Sequence, residues 1–124
     1  MPESPTRDRA LRVVSLIPPG RVAGYSDVGA QLMPRLSGLL IGRILTHPEP
    51  DTPWWRVVGR DGTLLVAKRD PQIAAEQRAR LLSEGVDFLG EQVDMVAHAL
   101  TPADWDLLLA RVVHDAVDDR PDAM

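Results

Sequence analysis

The side chains on which most enzyme chemistry rests are scarce in this chain. It contains no cysteine, which excludes disulfides, thiolate metal sites and every mechanism that needs a sulfur nucleophile. His47, His98 and His114 are scattered without metal-ligand spacing. No paired carboxylates, no nucleophile beside a base and no phosphate-cradling glycine loop occur at usable spacing. Arginine is better represented, and it is unevenly placed. Residues 1–70 carry ten Lys or Arg against seven Asp or Glu, whereas residues 71–124 carry four against eleven, so a net charge of -4 conceals halves of +3 and -7. The basic half is where a phosphate-binding surface could sit.

These residues need a scaffold, and 124 residues with 44% apolar content suffice for one core. We expect one domain over residues 1–100, followed over 101–124 by an amphipathic helix and an acidic, frayed tail. No run of about eighteen apolar residues marks a membrane span and the start lacks a signal-peptide pattern, so a soluble, cytoplasmic protein is expected. Thr6 can cap a helix through Ala10, Leu11, Val14 and Ile17, which Pro18-Pro19-Gly20 stops. Ser26 is a suitable cap for a second helix to Leu32, and Ser37 or Gly38 opens a third over Leu39 to Leu45. Two short helices with a tight connection suggest a helix-turn-helix. Arg56 to Val58, a turn over Gly59 to Gly62, and Thr63 to Val66 read as a small hairpin. Asp70 and Pro71 start a helix through Ala74, Gln77, Leu81 and Leu82 that Gly85 ends. Short β-prone pieces follow at Val86 to Leu89 and Gln92 to Val96. Thr101, Pro102 and Asp104 launch a final helix whose stripe is Trp105, Leu108, Leu109, Val112, Val113 and Ala116; that stripe suits core packing or self-association.

Three segments in order resemble one family. Ile17-Pro18-Pro19-Gly20-Arg21-Val22-Ala23-Gly24-Tyr25-Ser26-Asp27-Val28 is similar to the entry into the DNA-binding domain of O6-alkylguanine-DNA alkyltransferases. His47-Pro48-Glu49, then Pro53-Trp54-Trp55-Arg56-Val57-Val58 and Asp61-Gly62, resembles the active-site segment, which reads Pro-Cys-His-Arg-Val in those enzymes and Pro-Trp-His-Arg-Val in the alkyltransferase-like proteins. Lys68-Arg69-Asp70-Pro71, Glu76-Gln77 and Leu81-Leu82-Ser83-Glu84-Gly85-Val86 resembles the helix that closes the domain. The likeness covers roughly residues 10 to 98. It implies a mainly α fold with a small β-hairpin, a winged helix-turn-helix-like DNA-binding domain of the alkyltransferase C-terminal type, here with an extra C-terminal helix.

By this resemblance Trp54 stands where the enzymes have the alkyl-accepting cysteine and Trp55 where they have the activating histidine, so nucleophile and base are both gone. Indole does not attack an alkylated oxygen, but its face stacks on a purine for about 1–3 kcal/mol. Tyr25 matches a tyrosine that helps rotate the target nucleotide, its hydroxyl able to donate or accept. The implied lesion pocket is Tyr25, Trp54, Arg56 and Val57. In an extended segment Trp54 and Trp55 point apart, which assigns Trp54 to the pocket and Trp55 to the interior or rim. Arg56 would orient the pocket loop through carbonyls or a carboxylate. Glu84 matches the carboxylate that orients the family's histidine, and would here pair with Arg56 or bond a helix end. The implied DNA-contacting set is Ser26, Arg35, Ser37, Gly38, Leu39, Gly42 and Arg43. Leu39 occupies the position of the arginine that fills the gap left by the flipped nucleotide; an apolar wedge at Leu39 or Leu40 can do the same.

The function implied is non-catalytic recognition of O6-alkylguanine flipped from double-stranded DNA, by a monomer without cofactor, metal or membrane, flagging the lesion for nucleotide excision repair proteins. A helix-turn-helix regulator without lesion specificity is the alternative. A third reading is an interaction module that uses the C-terminal stripe.

Overall fold

The structure, a computed structural model, describes residues 5–118, with side chains as far as Arg111. The outer part of the predicted final stripe, Val112, Val113 and Ala116, and the tail over 119–124 lie outside the described side chains or residues.

Helix α1, Pro5–Ser15, buries Ala10, Leu11, Val13 and Val14, a stripe at helical spacing that turns one face inward. Thr6 lies inside it rather than capping it. Gly20, at φ +85°, supplies the turn that an L side chain resists and leads into β1, Ala23–Gly24. Helix α2, Tyr25–Ala30, follows at once, with Gly24 and not Ser26 as its N-cap. The physical reason is sheet pairing: Gly24 is held extended opposite Val58, and the helix starts where that pairing ends. Ser37 caps α3, Gly38–Ile44, its Oγ accepting from the Leu40 amide at 3.1 Å. Helices α2 and α3 form the expected helix pair. Their connector closes on Gly29, whose carbonyl accepts from the Leu36 amide at 3.1 Å.

Of the hairpin expected over Arg56 to Val66 only the turn forms, the Gly62 amide donating to the Gly59 carbonyl at 2.9 Å and the Gly59 amide to the Thr63 carbonyl at 2.8 Å, with no strand following at Thr63 to Val66. Strand β2, Val57–Val58, instead pairs parallel with β1, Ala23 opposite Val57 and Gly24 opposite Val58. Gly62, at φ +93°, engages another segment: its carbonyl accepts from the Val93 amide at 2.9 Å. Beyond the turn, Leu65–Lys68 winds into a 3-10 turn. Helix α4, Pro71–Ser83, matches its prediction: Asp70 Oδ1 accepts from the amides of Gln72 and Ile73, and Gly85 at φ +87° follows the end. The antiparallel hairpin of this fold is β3, Phe88–Leu89, with β4, Gln92–Val93. A short helix α5, Met95–His98, capped by Asp94, was not anticipated. Helix α6, Pro102–Asp118, opens with a reciprocal cap, Asp104 N donating to Thr101 Oγ1 and Thr101 N to Asp104 Oδ2.

Two cores flank the β1–β2 pair. Ala23 and Val57 join α1, α2, α3, Leu100 and Trp105; Val22 and Val58 join Leu64, Leu81, Val86 and Val93. Successive strand residues face opposite sides, so one short pair closes both. Trp105 is buried and Leu108 packs against the same core, while Leu109 lines the hollow beside α1.

A β-carbon on Gly29 would collide with the Leu36 carbonyl, a backbone group with little freedom to retreat. Gly29→Ala is therefore expected to destabilise the fold by about 1–3 kcal/mol, read as a lowered midpoint in urea unfolding; an unchanged midpoint would mean that the α2–α3 connector is not held this closely.

Candidate nucleic-acid interface

The parallel pair sets the first residue of α2 beside the segment that leads into β2, and so brings Tyr25 and Trp54 to one place. Both line a cavity of about 260 Å³ together with Gly42, Thr46, Pro48, Arg69 and Gln77. It adjoins a more open groove of about 560 Å³, which shares Tyr25, Gly42, Thr46, Val66 and Arg69 and adds Leu39, Arg43, Arg60 and Leu65. The result is an aromatic recess opening onto a wider groove. A third hollow, of about 730 Å³, lies apart, between α1 and the Glu49–Thr52 loop, and is fringed by Asp8, Glu49 and Asp51 against Arg12. Its acidic fringe is ill suited to a polyanion.

Trp54 and Trp55 lie in a 3-10 turn, Trp54–Arg56, and not in extended chain. They diverge all the same, because a 3-10 turn advances the chain by about a third of a circle per residue; their rings are edge to face at 6.0 Å and 89°. Trp54 lines the recess. Trp55 turns away to the second core, where the guanidinium carbons of Arg80 and Arg56 lie 4.5 and 5.3 Å from its ring centre. Its Nε1 donates to Glu84 Oε2 at 3.0 Å. Arg56 pairs with the same carboxylate, Nη2 to Oε2 at 2.6 Å and Nε to Oε1 at 3.0 Å, and its Nη1 donates to the Ile17 carbonyl at 2.8 Å. Burial alone would raise the Glu84 carboxyl, but hydrogen bonds from Arg56 and Trp55 and the Arg56 charge outweigh it and hold the carboxyl below its ordinary range. From α4, buried Gln77 donates through Nε2 to the carbonyls of Trp55 and Val57 at 3.2 and 3.0 Å. The turn behind Trp54 is thus gripped from both sides.

At the other wall, burial raises the Tyr25 hydroxyl pKa, with the nearby Arg69 charge opposing, so the hydroxyl stays protonated at neutral pH and keeps a proton to donate. A β-carbon on Gly42 would come only into ordinary van der Waals range of this ring, whereas one on Gly38 would crowd the Ser26 amide at 3.1 Å. Among the described residues, neither Arg43 nor Arg60 has a carboxylate partner, and Arg69 reaches only the Thr46 hydroxyl at 3.3 Å. Other arginines are spent on carboxylates: Arg7 on Glu49, Arg21 on Asp104, Arg56 on Glu84 and Arg80 on Glu76. The groove therefore concentrates uncompensated positive charge.

Of the residues singled out from sequence, Tyr25, Ser26, Gly38, Leu39, Gly42 and Arg43 line the groove and Trp54 the recess. Arg56 and Val57 do not line either one: Arg56 is turned onto Glu84, and Val57 is wholly buried in β2. Ser37 is taken up with capping α3. Arg35 is exposed in the connector, outside both cavities. Sequence reasoning missed Arg60, Arg69, Thr46 and Gln77. Gln77 had a readable signal, since a polar residue at a core position of an amphipathic helix must find buried partners. Arg60 and Arg69 had none, because their approach to α3 is a tertiary event. Among the described residues no cluster of potential metal ligands occurs, and no helix is long and apolar enough to cross a membrane.

A helix pair beside a basic groove with an aromatic recess is the build of a small nucleic-acid-binding domain. The chain belongs to the family described as 6-O-methylguanine DNA methyltransferase, DNA binding domain, which it matches over residues 5–86. It is 41% identical over 91 residues to the DNA base-flipping protein of Escherichia coli strain K12, covering 70% of this chain and 67% of that protein, and equally similar to the namesake in Shigella flexneri. Its fold is similar to that of S. pombe Atl1 solved with damaged DNA containing O6-carboxymethylguanine, at a TM-score of 0.66 and 24% identity, over 82% of this chain and all of that one. A second structure of the S. pombe protein with DNA gives 0.67 at 23% identity with the same coverage.

Because the Glu84 carboxyl is held below its ordinary pKa, its pairing stabilises the fold above the unfolded value and is lost as pH falls through the folded one. Glu84→Gln is expected to cost roughly 1–3 kcal/mol at neutral pH, and the gap to the parent should close as pH drops below about 4. Urea unfolding of both proteins across that range tests this; a gap that persists in acid would remove the carboxylate charge from the account.

Proposed function

We propose that this protein is a non-catalytic reader of alkylated guanine in duplex DNA. The observation that carries the reading is the recess itself: Tyr25 and Trp54 line a cavity of about 260 Å³ that opens onto a groove bearing arginines without carboxylate partners, and no thiol lies within it. The cysteine-free composition leaves no thiolate, and indole is no substitute. A guanine turned out of the helix would stack on Trp54, offsetting the few kcal/mol that extrusion costs. The Tyr25 hydroxyl, still protonated, would donate to a ring nitrogen or phosphate. Arg43, Arg60 and Arg69 would hold the backbone on either side, with Ser26, Gly38 and Gly42 letting it approach closely. The E. coli relative's description as a base-flipping protein and the damaged DNA bound by S. pombe Atl1 support the same reading. The protein acts as a monomer in the cytoplasm, and the complex it forms marks the site for nucleotide excision repair.

Fluorescence anisotropy with one duplex, with and without a single O6-methylguanine, is the direct test. The modified duplex should bind more tightly, and Trp54→Ala should abolish most of that preference, about tenfold or more if stacking supplies its usual 1–3 kcal/mol. Tyr25→Phe should weaken lesion binding while leaving the urea midpoint nearly unchanged. Equal affinity for both duplexes would instead assign a helix-turn-helix DNA binder without lesion specificity. Affinity should also fall with salt, with a log–log slope of roughly -3 to -4.5 for ~3–5 phosphate contacts, and Arg43→Ala and Arg60→Ala should each flatten it by about one unit.

A further inference from the structure

Gln77 is the only polar residue that α4 buries. It is 1% exposed, and it lines the recess with Tyr25 and Trp54. Its partners fix which way the amide points. Nε2 faces the carbonyls of Trp55 and Val57 at 3.2 and 3.0 Å, and carbonyls only accept, so that end is the NH2 and the oxygen is turned the other way. Oε1 is sealed from solvent and has no hydrogen-bond partner among the described residues. A buried acceptor left unmade costs free energy, and the grip on the two carbonyls needs only a donor, so the oxygen is surplus to it. The terminal torsion of glutamine is broad; a modest turn about Cγ–Cδ brings Oε1 to the wall of the recess while Nε2 keeps a carbonyl. Other oxygens on these walls are engaged: Thr46 Oγ1 accepts from Arg69 and donates to the Gly42 carbonyl, and Glu76 holds Arg80.

We propose that Gln77 Oε1 accepts from the 2-amino group of the base turned into the recess, so that the protein admits guanine-derived lesions and discriminates against alkylated purines that lack this group. The inference rests on the lesion-reading function and adds to it the edge of the base that is read. Alkylation at O6 leaves the guanine ring without its N1 proton, so the 2-amino group carries the only N–H donors remaining on the base. An acceptor in the recess has nothing else on that ring to receive from. One amide then serves two purposes: Nε2 holds the turn that carries Trp54, and Oε1 checks the base that stacks on Trp54.

The test uses the full chain and three duplexes with the same flanks, in which O6-methylguanine, O6-methylhypoxanthine or guanine faces an abasic site, so that pairing strength does not enter. O6-methylhypoxanthine differs from O6-methylguanine only in lacking the 2-amino group. By fluorescence anisotropy the parent should bind O6-methylguanine about tenfold more tightly than O6-methylhypoxanthine, the loss expected when a buried hydrogen bond goes unmade. Gln77→Lys keeps donors for the Trp55 and Val57 carbonyls but has no acceptor, and should bind the two lesions alike. Gln77→Met, uncharged and of similar volume, gives the same readout should a buried ammonium unfold the chain. A glutamine that served the turn alone would, when replaced, lower both affinities together and leave their ratio unchanged. A parent that binds the two lesions within about twofold, or variants that keep the tenfold ratio, would overturn the proposal. Equal binding of O6-methylguanine and guanine would overturn the lesion reading and take this proposal with it. Preference for both lesions over guanine, equal between the two, would overturn this proposal alone.

Discussion

The parallel pairing of Ala23–Gly24 with Val57–Val58 is the constraint from which the rest of the molecule follows. Two residues on each strand supply few hydrogen bonds, and isolated pairs of this length are not stable in water. Burial holds them: Val57 and Val58 are fully enclosed, Ala23 nearly so, with Ala23 and Val57 closing one core and Val58 the other. The pair is widened at Val22, whose amide donates to the His98 carbonyl and whose carbonyl accepts from Leu100. Three distant segments are thereby tied at one line. The start of α2 and the 3-10 turn at Trp54 emerge from that line side by side, and the recess between Tyr25 and Trp54 exists because of it.

Behind the recess, the polar groups form a support for an aromatic wall. Glu84 receives Trp55 and Arg56, Gln77 holds two carbonyls of the same turn, and Arg80 covers the outer face of Trp55. By the resemblance, Glu84 stands where the alkyltransferases have the carboxylate that orients their histidine; in this chain the Trp55 indole N–H takes the hydrogen bond. The ring changes and the donor remains.

What the sequence made legible was local. Caps at Ser37, Asp70 and Thr101, the glycine stop at Gly85 and the amphipathic stripes depend on neighbours within a turn or two, and the structure reproduces them. The strand pairing expected around Gly59 to Gly62 failed because alternation in Val57–Val58 says that a strand exists but not which partner it takes. The partner is β1, far away in sequence, and the same pairing moved the α2 cap from Ser26 to Gly24. At the site, Tyr25 and Trp54 were legible from motif, whereas Arg56 and Val57 were motif neighbours with inward duties. Arg60 and Arg69 join the groove only once the Leu65–Lys68 turn folds toward α3, a placement that spacing along the chain does not encode.

The sorting of the arginines has a kinetic meaning. Arg43, Arg60 and Arg69 line the groove without a carboxylate partner among the described residues, and Asp87, Glu91 and Asp106 stand exposed in the second half of the chain. The molecule is a net anion whose groove bears three arginines. Near a negatively charged rod, such an object experiences a torque before it experiences contact, over a range set by a screening length of about 8 Å at physiological ionic strength. Collisions that present the wrong side are repelled, and productive ones are pre-aligned. A search over long stretches of polymer gains from this arrangement in two ways: weak general adhesion lets the molecule leave an uninformative stretch quickly, while alignment ensures that each brief visit inspects with the correct face.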